Sequence, residues 1–269
     1  MRIAANLSLL FTERPLPERI AAARAAGFEG VEIQFPYDHP AETLAAAARA
    51  AAMPVVLINI PAGDAAAGDI GLGAIPARRA EFREGVARCL SYARVLGVRR
   101  VNLLSGRPAP GADPAECRAT LLENLRHAAA AFAPHGIRTV LEPVNPMDRP
   151  GFFLDRLAPA IGILREAATP AAGLLFDLYH MARTEPDLIA AIGRAGRLIG
   201  HVQFADTPGR HEPGTGTIDF AAAFAALRRA GYADWVAAEY NPLARTEDGL
   251  RWMPALRGAL AERLPRHTP

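Results

Sequence analysis

The sequence predicts an α/β protein of the closed (β/α)8 type, as one domain over residues 1–269, and three observations predict it. First, short apolar runs, the length of buried parallel strands, alternate with longer stretches at helical spacing along the whole chain. Second, four of these runs end on an oxygen-bearing side chain: Thr-Val-Leu-Glu at Glu142, Gly-Leu-Leu-Phe-Asp at Asp177, His-Val-Gln at Gln203 and Trp-Val-Ala-Ala-Glu at Glu239. Four strands that each deliver an oxygen at the carboxyl end describe one site only if they converge. A closed barrel makes them converge, and its chemistry sits at that face. Third, Ala-Ala-Gly-Phe-Glu-Gly-Val-Glu at 25–32 resembles Arg-Ala-Gly-Tyr-Ala-Asp-Trp-Val at 229–236. Each stops a helix on Gly, adds an aromatic and enters a strand, which favours repeated βα units over two unlike domains.

Taken in order, the strands are expected at Ile3 to Leu7, Val31 to Phe35, Pro54 to Ile60, Arg100 to Leu104, from Thr139, and at Leu174 to Asp177, Ile199 to Gln203 and Val236 to Glu239. The helices are expected at Pro15 to Ala26, Ala41 to Ala52, Pro76 to Leu96, Pro114 to Pro134, Leu157 to Ala167, Pro186 to Arg194, Phe220 to Arg229 and Glu247 to Glu262, with a frayed tail after Leu264. Ala41 to Ala52 is nearly all strong helix former, and Gly97 stands where a helix ends. Val55, Val56 and Ile58 favour a strand. The loop at 59–73, rich in Gly and Ala, reads as a lid or a binding loop, and the loop at 105–113, broken up by Gly106, Pro108, Pro110 and Gly111, reads as a second mobile one. The competing architecture, an open doubly wound sheet, calls for a Gly-rich phosphate turn after strand one, and Asn6-Leu7-Ser8-Leu9-Leu10 offers none.

Composition removes several function classes. The chain contains no lysine, which excludes a Schiff-base aldolase, a lysine-anchored pyridoxal phosphate enzyme and a standard P-loop. A net charge of +2 without clustering does not describe a nucleic-acid binder. No apolar run spans a bilayer and the start lacks a signal-peptide pattern, so a cytoplasmic enzyme with no membrane partner is the expectation. Cys89 and Cys117 each sit in a helical pattern and read as buried apolar residues. The apolar stretch from Leu44 to Ala52 serves helix packing or a subunit contact, which leaves a homo-oligomer open.

Glu142, Asp177, Gln203 and Glu239 make a hard oxygen-donor set of three carboxylates and one amide, which suits Mg²⁺ or Mn²⁺ and suits Zn²⁺ poorly. Without a cation, three neighbouring carboxylates would repel and take up protons. His180, in the loop expected after strand six, either donates to a substrate oxygen or packs as a structural histidine. His201 alternates with Gln203 on one strand face and reads as a satisfied core histidine. Arg210, in a loop full of turn formers, either clamps a substrate carboxylate or is a solvated charge. Asn6, Glu32, Asn59, Asn102 and Asn145 also lie at or just past strand ends and could line the pocket.

The chain resembles the hydroxypyruvate isomerase family, within the xylose-isomerase-like barrels, nearly end to end. The pieces that carry the resemblance include Ala5-Asn6-Leu7-Ser8, Phe35-Pro36-Tyr37-Asp38, Asn59-Ile60-Pro61-Ala62-Gly63-Asp64, Glu142-Pro143-Val144-Asn145 and Asp177-Leu178-Tyr179-His180-Met181. Others are Gly200-His201-Val202-Gln203, Glu212-Pro213-Gly214-Thr215-Gly216 and Gly249-Leu250-Arg251-Trp252-Met253. The resemblance implies a TIM barrel with one divalent ion on Glu142, Asp177, Gln203 and Glu239, the two glutamates also being the catalytic pair. It implies substrate contacts from His180 and Arg210. Sugar epimerases of the wider group tend to carry histidine where Gln203 stands, and Ile58 replaces a histidine found in some relatives.

The expected reaction is interconversion of hydroxypyruvate and 2-hydroxy-3-oxopropanoate through an enediolate. The same site could serve a 2-dehydrotetronate isomerase or a ketose 3-epimerase. A metal-dependent DNA-repair phosphodiesterase would require a multi-metal, histidine-rich site, whereas His39, His135 and His267 lie off the expected strand ends. A sugar-binding barrel without activity would have no reason to keep all four oxygen donors.

Overall fold

The computed structural model describes residues 1–261. Eight parallel strands close into a barrel in sequential order: β1 (Arg2–Asn6), β2 (Gly30–Ile33), β3 (Val55–Asn59), β4 (Arg100–Leu103), β5 (Arg138–Leu141), β6 (Ala172–Asp177), β7 (Ile199–Phe204) and β8 (Trp235–Ala238), with β8 pairing back onto β1. The outer ring is α1 (Leu16–Ala25), α2 (Ala41–Ala50), α3 (Arg79–Leu96), α4 (Pro114–Phe132), α5 (Leu157–Ala167), α6 (Leu178–Thr184), α7 (Leu188–Ala195), α8 (Phe220–Arg229) and α9 (Met253–Ala261).

Alternation along the strands produces the site. Residues two apart face the same side of a strand. The barrel interior therefore carries Ala4, Leu57, Val140, Leu175 and Ala237 as one apolar layer. Two residues further along the same strands stand Asn6, Asn59, Glu142, Asp177 and Glu239, all buried. Val56 and Trp235 complete the apolar floor. The intervening residues, such as Ala5, Ile58, Leu141, Phe176 and Ala238, face outward and join the core between barrel and helices. The polar layer thus sits at the carboxyl ends on a floor that water does not reach.

Helix boundaries follow local chemistry. Asp113, Asp187 and Asp219 cap α4, α7 and α8 through their side chains, and Gly97 ends α3 in the left-handed conformation. Leu44, Ala45 and Ala48 of α2 are buried within the chain, so that apolar face serves helix packing. Cys89 and Cys117 are buried free thiols. No helix among the described residues is long and apolar enough to cross a membrane.

Three expectations need correction. His180 lies not in a loop but in the first turn of α6, a short helix that begins directly after Asp177. The long helix expected from Pro76 opens with a separate 3-10 turn, Pro76–Arg78, and the last helix divides into a 3-10 segment, Thr246–Trp252, followed by α9. The loops at 59–73 and 105–113 are bound to each other: Gly71 bridges Ser105, Gly73 N–H donates to Leu104 at 3.1 Å, and Ala74 N–H donates to Ser105 at 2.7 Å. The expected end of the last helix at Glu262 and the tail after Leu264 lie outside the described residues.

Candidate active site

A cavity of about 870 Å³ opens at the carboxyl ends of the strands, and its wall includes Asn59, Glu142, His180, Arg210 and Glu239. Asn6, Asn102, Asp177 and Gln203 are not in the wall; they lie buried behind it. Asn102 donates to Glu142 Oε2 at 2.7 Å, and Asn6 donates to Glu239 Oε2 at 3.1 Å. The direct substrate contact expected of Asn6 and Asn102 is therefore replaced by support of the two glutamates. Asn59 does reach the wall, and its carbonyl accepts from the Tyr37 hydroxyl at 2.5 Å.

Glu32 is the residue the sequence undervalued. It is fully buried at the centre of the barrel, where Oε2 accepts from Gln203 Nε2 at 2.9 Å and from Asn6 Nδ2 at 3.3 Å, and Oε1 meets His201 Nε2. The signal was a carboxylate in the middle of an otherwise apolar strand, Gly-Val-Glu-Ile, which demands an interior partner. His201 is only half satisfied, since its Nδ1 has no partner among the described residues.

Four buried carboxylates, Glu32, Glu142, Asp177 and Glu239, thus share one end of the barrel. Burial pushes the Glu142 carboxyl up to about 8, helped by Asp177 and opposed by the Asn102 hydrogen bond and Arg210. Burial likewise raises Asp177, against the pull of Arg210, and raises Glu239 well above the ordinary carboxyl range. Arg210 is the compensating cation. Its Nη2 donates to Glu239 Oε1 at 2.8 Å and lies 3.7 Å from Asp177 Oδ2, and its guanidinium sits 5.3 Å over the Tyr179 ring. Burial works to lower its pKa, but Glu239, Asp177 and Glu142 outweigh this and raise it.

Of the expected oxygen donors, Asp177 and Gln203 each keep one oxygen without a hydrogen bond, whereas both Glu239 oxygens accept hydrogen bonds and Glu239 falls outside the group that Glu142 and Asp177 form with His180. Asp177 uses Oδ1 to cap α6, accepting from Tyr179 N–H at 2.8 Å, while its buried Oδ2 has no hydrogen-bond partner. Gln203 turns its amide nitrogen to Glu32 and leaves Oε1 buried without a partner. Buried acceptors left empty are costly unless something positive meets them. His180 also lies close: one atom each of Glu142, Asp177 and His180 fall within 4.8 Å of one another. The hydrogen bonds argue against His180 as a ligand. Its Nδ1 accepts from Asn145 Nδ2 at 2.7 Å and faces the Asn145 backbone N–H at 3.4 Å, so the proton of the neutral ring sits on Nε2, the nitrogen facing Glu142 and Asp177. Burial, with Arg210, Arg149 and Arg183, holds the imidazole well below its usual pKa and keeps it neutral. His180 is a hydrogen-bond donor at this position.

This barrel, with its carboxylate layer, defines a class. The family described as "Xylose isomerase-like TIM barrel" matches residues 20–256, and the chain belongs to it. Within that class it is similar to the hydroxypyruvate isomerase of Escherichia coli (strain K12), at 40% identity over 96% of this chain and all of the relative. It is 41% identical to the 2-oxo-tetronate isomerase of Cupriavidus necator, over 94% of this chain and 97% of that one. A crystal structure described as AP endonuclease, family 2, from Brucella melitensis superposes with a TM-score of 0.92 at 40% identity, covering 94% of this chain and 98% of that one. The relatives make this chain an isomerase of the hydroxypyruvate and 2-oxo-tetronate isomerase group.

Proposed function

We propose that the chain is a divalent-metal-dependent aldose–ketose isomerase that interconverts hydroxypyruvate and 2-hydroxy-3-oxopropanoate. The observation that carries this reading is the pair Glu142 and Glu239. Both are buried, both line the cavity, and burial raises both carboxyls well above their ordinary range. A carboxylate held in the cavity wall against a bound substrate can both take and return a proton. One glutamate takes the C3 proton of hydroxypyruvate and the other delivers one to C2. The C3 hydroxyl loses its proton as the C2 oxygen gains one, so the formula is unchanged.

The surrounding side chains orient this exchange. Asn102 and Asn6 each hold one carboxylate oxygen of the pair. His180 donates through Nε2–H to a substrate oxygen, and Arg210 balances charge between Glu239 and Asp177. Glu142, Asp177, Gln203 and Glu239 would hold one Mg²⁺ or Mn²⁺, and Asp177 Oδ2 and Gln203 Oε1, both buried without a hydrogen-bond partner, support that assignment. Bound there, the ion would supply Lewis-acid polarisation of the substrate carbonyl and hydroxyl.

Replacing Glu142 or Glu239 by Gln tests the pair. Turnover and exchange of substrate C–H hydrogen with deuterated solvent are both expected to fall by about 10²–10⁴-fold in either variant. Near-parent turnover in a folded variant overturns the two-base scheme. Metal analysis separates the isomerase from a phosphodiesterase, about one ion per chain being expected against two or three.

A four-carbon substrate is the second reading. It is favoured by the 2-oxo-tetronate isomerase relative and by a cavity far larger than a three-carbon acid needs. Side-by-side kcat/KM on hydroxypyruvate, 2-oxo-tetronate and a ketohexose decides between them.

A further inference from the structure

We propose that Arg107 and Arg149 form the anion clamp that receives the substrate's carboxylate and makes the site select oxo acids over neutral ketoses. The inference deepens the isomerase reading and rests on it. Four arginines line the cavity wall: Arg88, Arg107, Arg149 and Arg210. Arg210 is committed to Glu239 and Asp177. Arg88 donates to the Tyr37 carbonyl at 3.0 Å and stacks over the Tyr37 ring at 4.9 Å. The carboxylate clamp expected of Arg210 therefore falls to the remaining two. Neither side chain has a hydrogen-bond or ion-pair partner among the described residues, and both are exposed.

The backbone brings these two together. Arg107 lies just past β4 and Arg149 in the loop after β5. Phe153 N–H donates to the Gly106 carbonyl at 2.8 Å, and Leu154 N–H donates to Ser105 Oγ at 3.1 Å, so the two loops are stitched side by side. The stem of Arg107 runs across Gly151, two residues beyond Arg149. A Cβ built on Gly151 would meet Arg107 Cγ at 3.3 Å and Cδ at 3.4 Å. Glycine at that position, with φ +79°, leaves the track along which the arginine lies.

Two unpaired arginines on adjoining loops of one cavity wall favour an anion between them, and the planar fork of arginine matches a carboxylate. The β3 stretch of the wall has the opposite character, with Asp64 and Asp69, the latter paired to Arg78 at 2.6 Å. A substrate with one negative end is thereby aligned toward β4 and β5. Glu142, at the end of β5, and His180, which feels the charge of Arg149, stand beside that end of the wall.

The test compares acids with their neutral counterparts. Dihydroxyacetone is hydroxypyruvate with CH2OH in place of the carboxylate, and erythrulose stands in the same relation to 2-oxo-tetronate. In the Arg107→Met, Arg149→Met double variant, the ratio of kcat/KM for acid over neutral partner is expected to fall about ten- to a hundredfold, the scale of losing a charge-assisted hydrogen-bonded pair. The fall should appear in KM for the acid rather than in kcat, and Arg149→Lys should recover part of it. Equal losses on acid and neutral substrates, or none, overturn the clamp. Calorimetric titration with D-glycerate, an unreactive acid of the same size, gives an independent readout. If the parent binds glycerate and the double variant does not, while no oxo acid is turned over, the clamp stands and the assigned reaction fails. If both proteins bind glycerate equally, the clamp fails whatever the reaction.

Discussion

Gln203 donates its side-chain amide to Glu32 across the barrel at 2.9 Å, and that bond decides which way its oxygen points. The oxygen is buried, has no partner, and is one of the four donors assigned to the cation. Replacing Glu32 by Leu frees the amide to rotate. Mn²⁺ affinity of the chelator-treated protein, read by calorimetry, is expected to weaken about ten- to a hundredfold, as for other residues that orient a metal ligand. Glu32→Gln keeps an oxygen for Gln203 and Asn6 and should stay nearer the parent. An unchanged Kd in Glu32→Leu removes Glu32 from the site's machinery.

The raised carboxyls set the sign of a pH effect. Glu142, Asp177 and Glu239 all have folded pKa values above their ordinary ones, Glu142 reaching about 8. The folded chain without metal thus binds more protons than the unfolded one between the ordinary carboxyl range and about pH 8. Stability is fully present below the unfolded pKa and is lost as pH rises through the folded value. In the presence of chelator, Tm should fall from pH 5 to pH 8, with a loss of about 2–4 kcal/mol. Glu142→Gln should flatten the curve and be the more stable protein at pH 8. Saturating Mg²⁺ or Mn²⁺, which binds the deprotonated carboxylates, should reverse the trend. A chelated protein that gains stability toward pH 8 contradicts the charge arrangement.

Asp206 organises the loop that delivers Arg210. Its Oδ1 accepts from Thr207 and Ile218 N–H at 2.9 and 3.1 Å, and its Oδ2 accepts from Gly214 and Gly216 N–H at 2.8 and 2.9 Å. Asp206→Ala leaves four backbone donors to find water, at a cost of about 2–4 kcal/mol. Asp206→Asn restores one side only and should fall between. Because Arg210 N–H is bonded to the Asp206 carbonyl and Asn241 N–H to the Arg210 carbonyl, and Arg210 balances the charge of Glu239 and Asp177, kcat should fall along with the loss of Tm. A Tm loss with unchanged kcat would show that Arg210 holds its place without the loop.

What the sequence made legible was the part governed by period. The barrel, the end of β6 at Asp177, and the bounds of α5 and α8 follow from apolar runs and helical spacing, whereas β7 runs one residue past Gln203 and β8 stops one residue before Glu239. What it hid was the part governed by crossing contacts. Glu32 stood within an expected strand, but its partners Gln203 and His201 are about 170 residues away, as their separations of 171 and 169 show. α6 was missed because Asp177 does two jobs, ending a strand and capping a helix with no connecting residue. Arg107 and Arg149 lie in loops without a repeating pattern, so only the stitching of β4 and β5 ends makes them neighbours.

That stitching gives the last prediction. Gly106 and Gly71 approach so closely that a Cβ on Gly106 would stand 1.9 Å from the Gly71 carbonyl oxygen, and Gly106 also has φ +82°. Gly111, in the same loop, has φ +80° but nothing within 4 Å of a built Cβ. Alanine at Gly111 bears only the left-handed backbone strain, about 1–2 kcal/mol. Alanine at Gly106 bears that strain and also forces the β3 and β4 loops apart, for a total of about 3–5 kcal/mol. The β3 loop carries Ala62, Gly63, Asp64 and Asp69 of the cavity wall, so Gly106→Ala should also raise KM, and Gly111→Ala should not. Thermal unfolding of the two variants side by side isolates the loop contact from the backbone term. If they lose stability equally, the β3 and β4 loops are not locked at this point, and the wall they build is free to move.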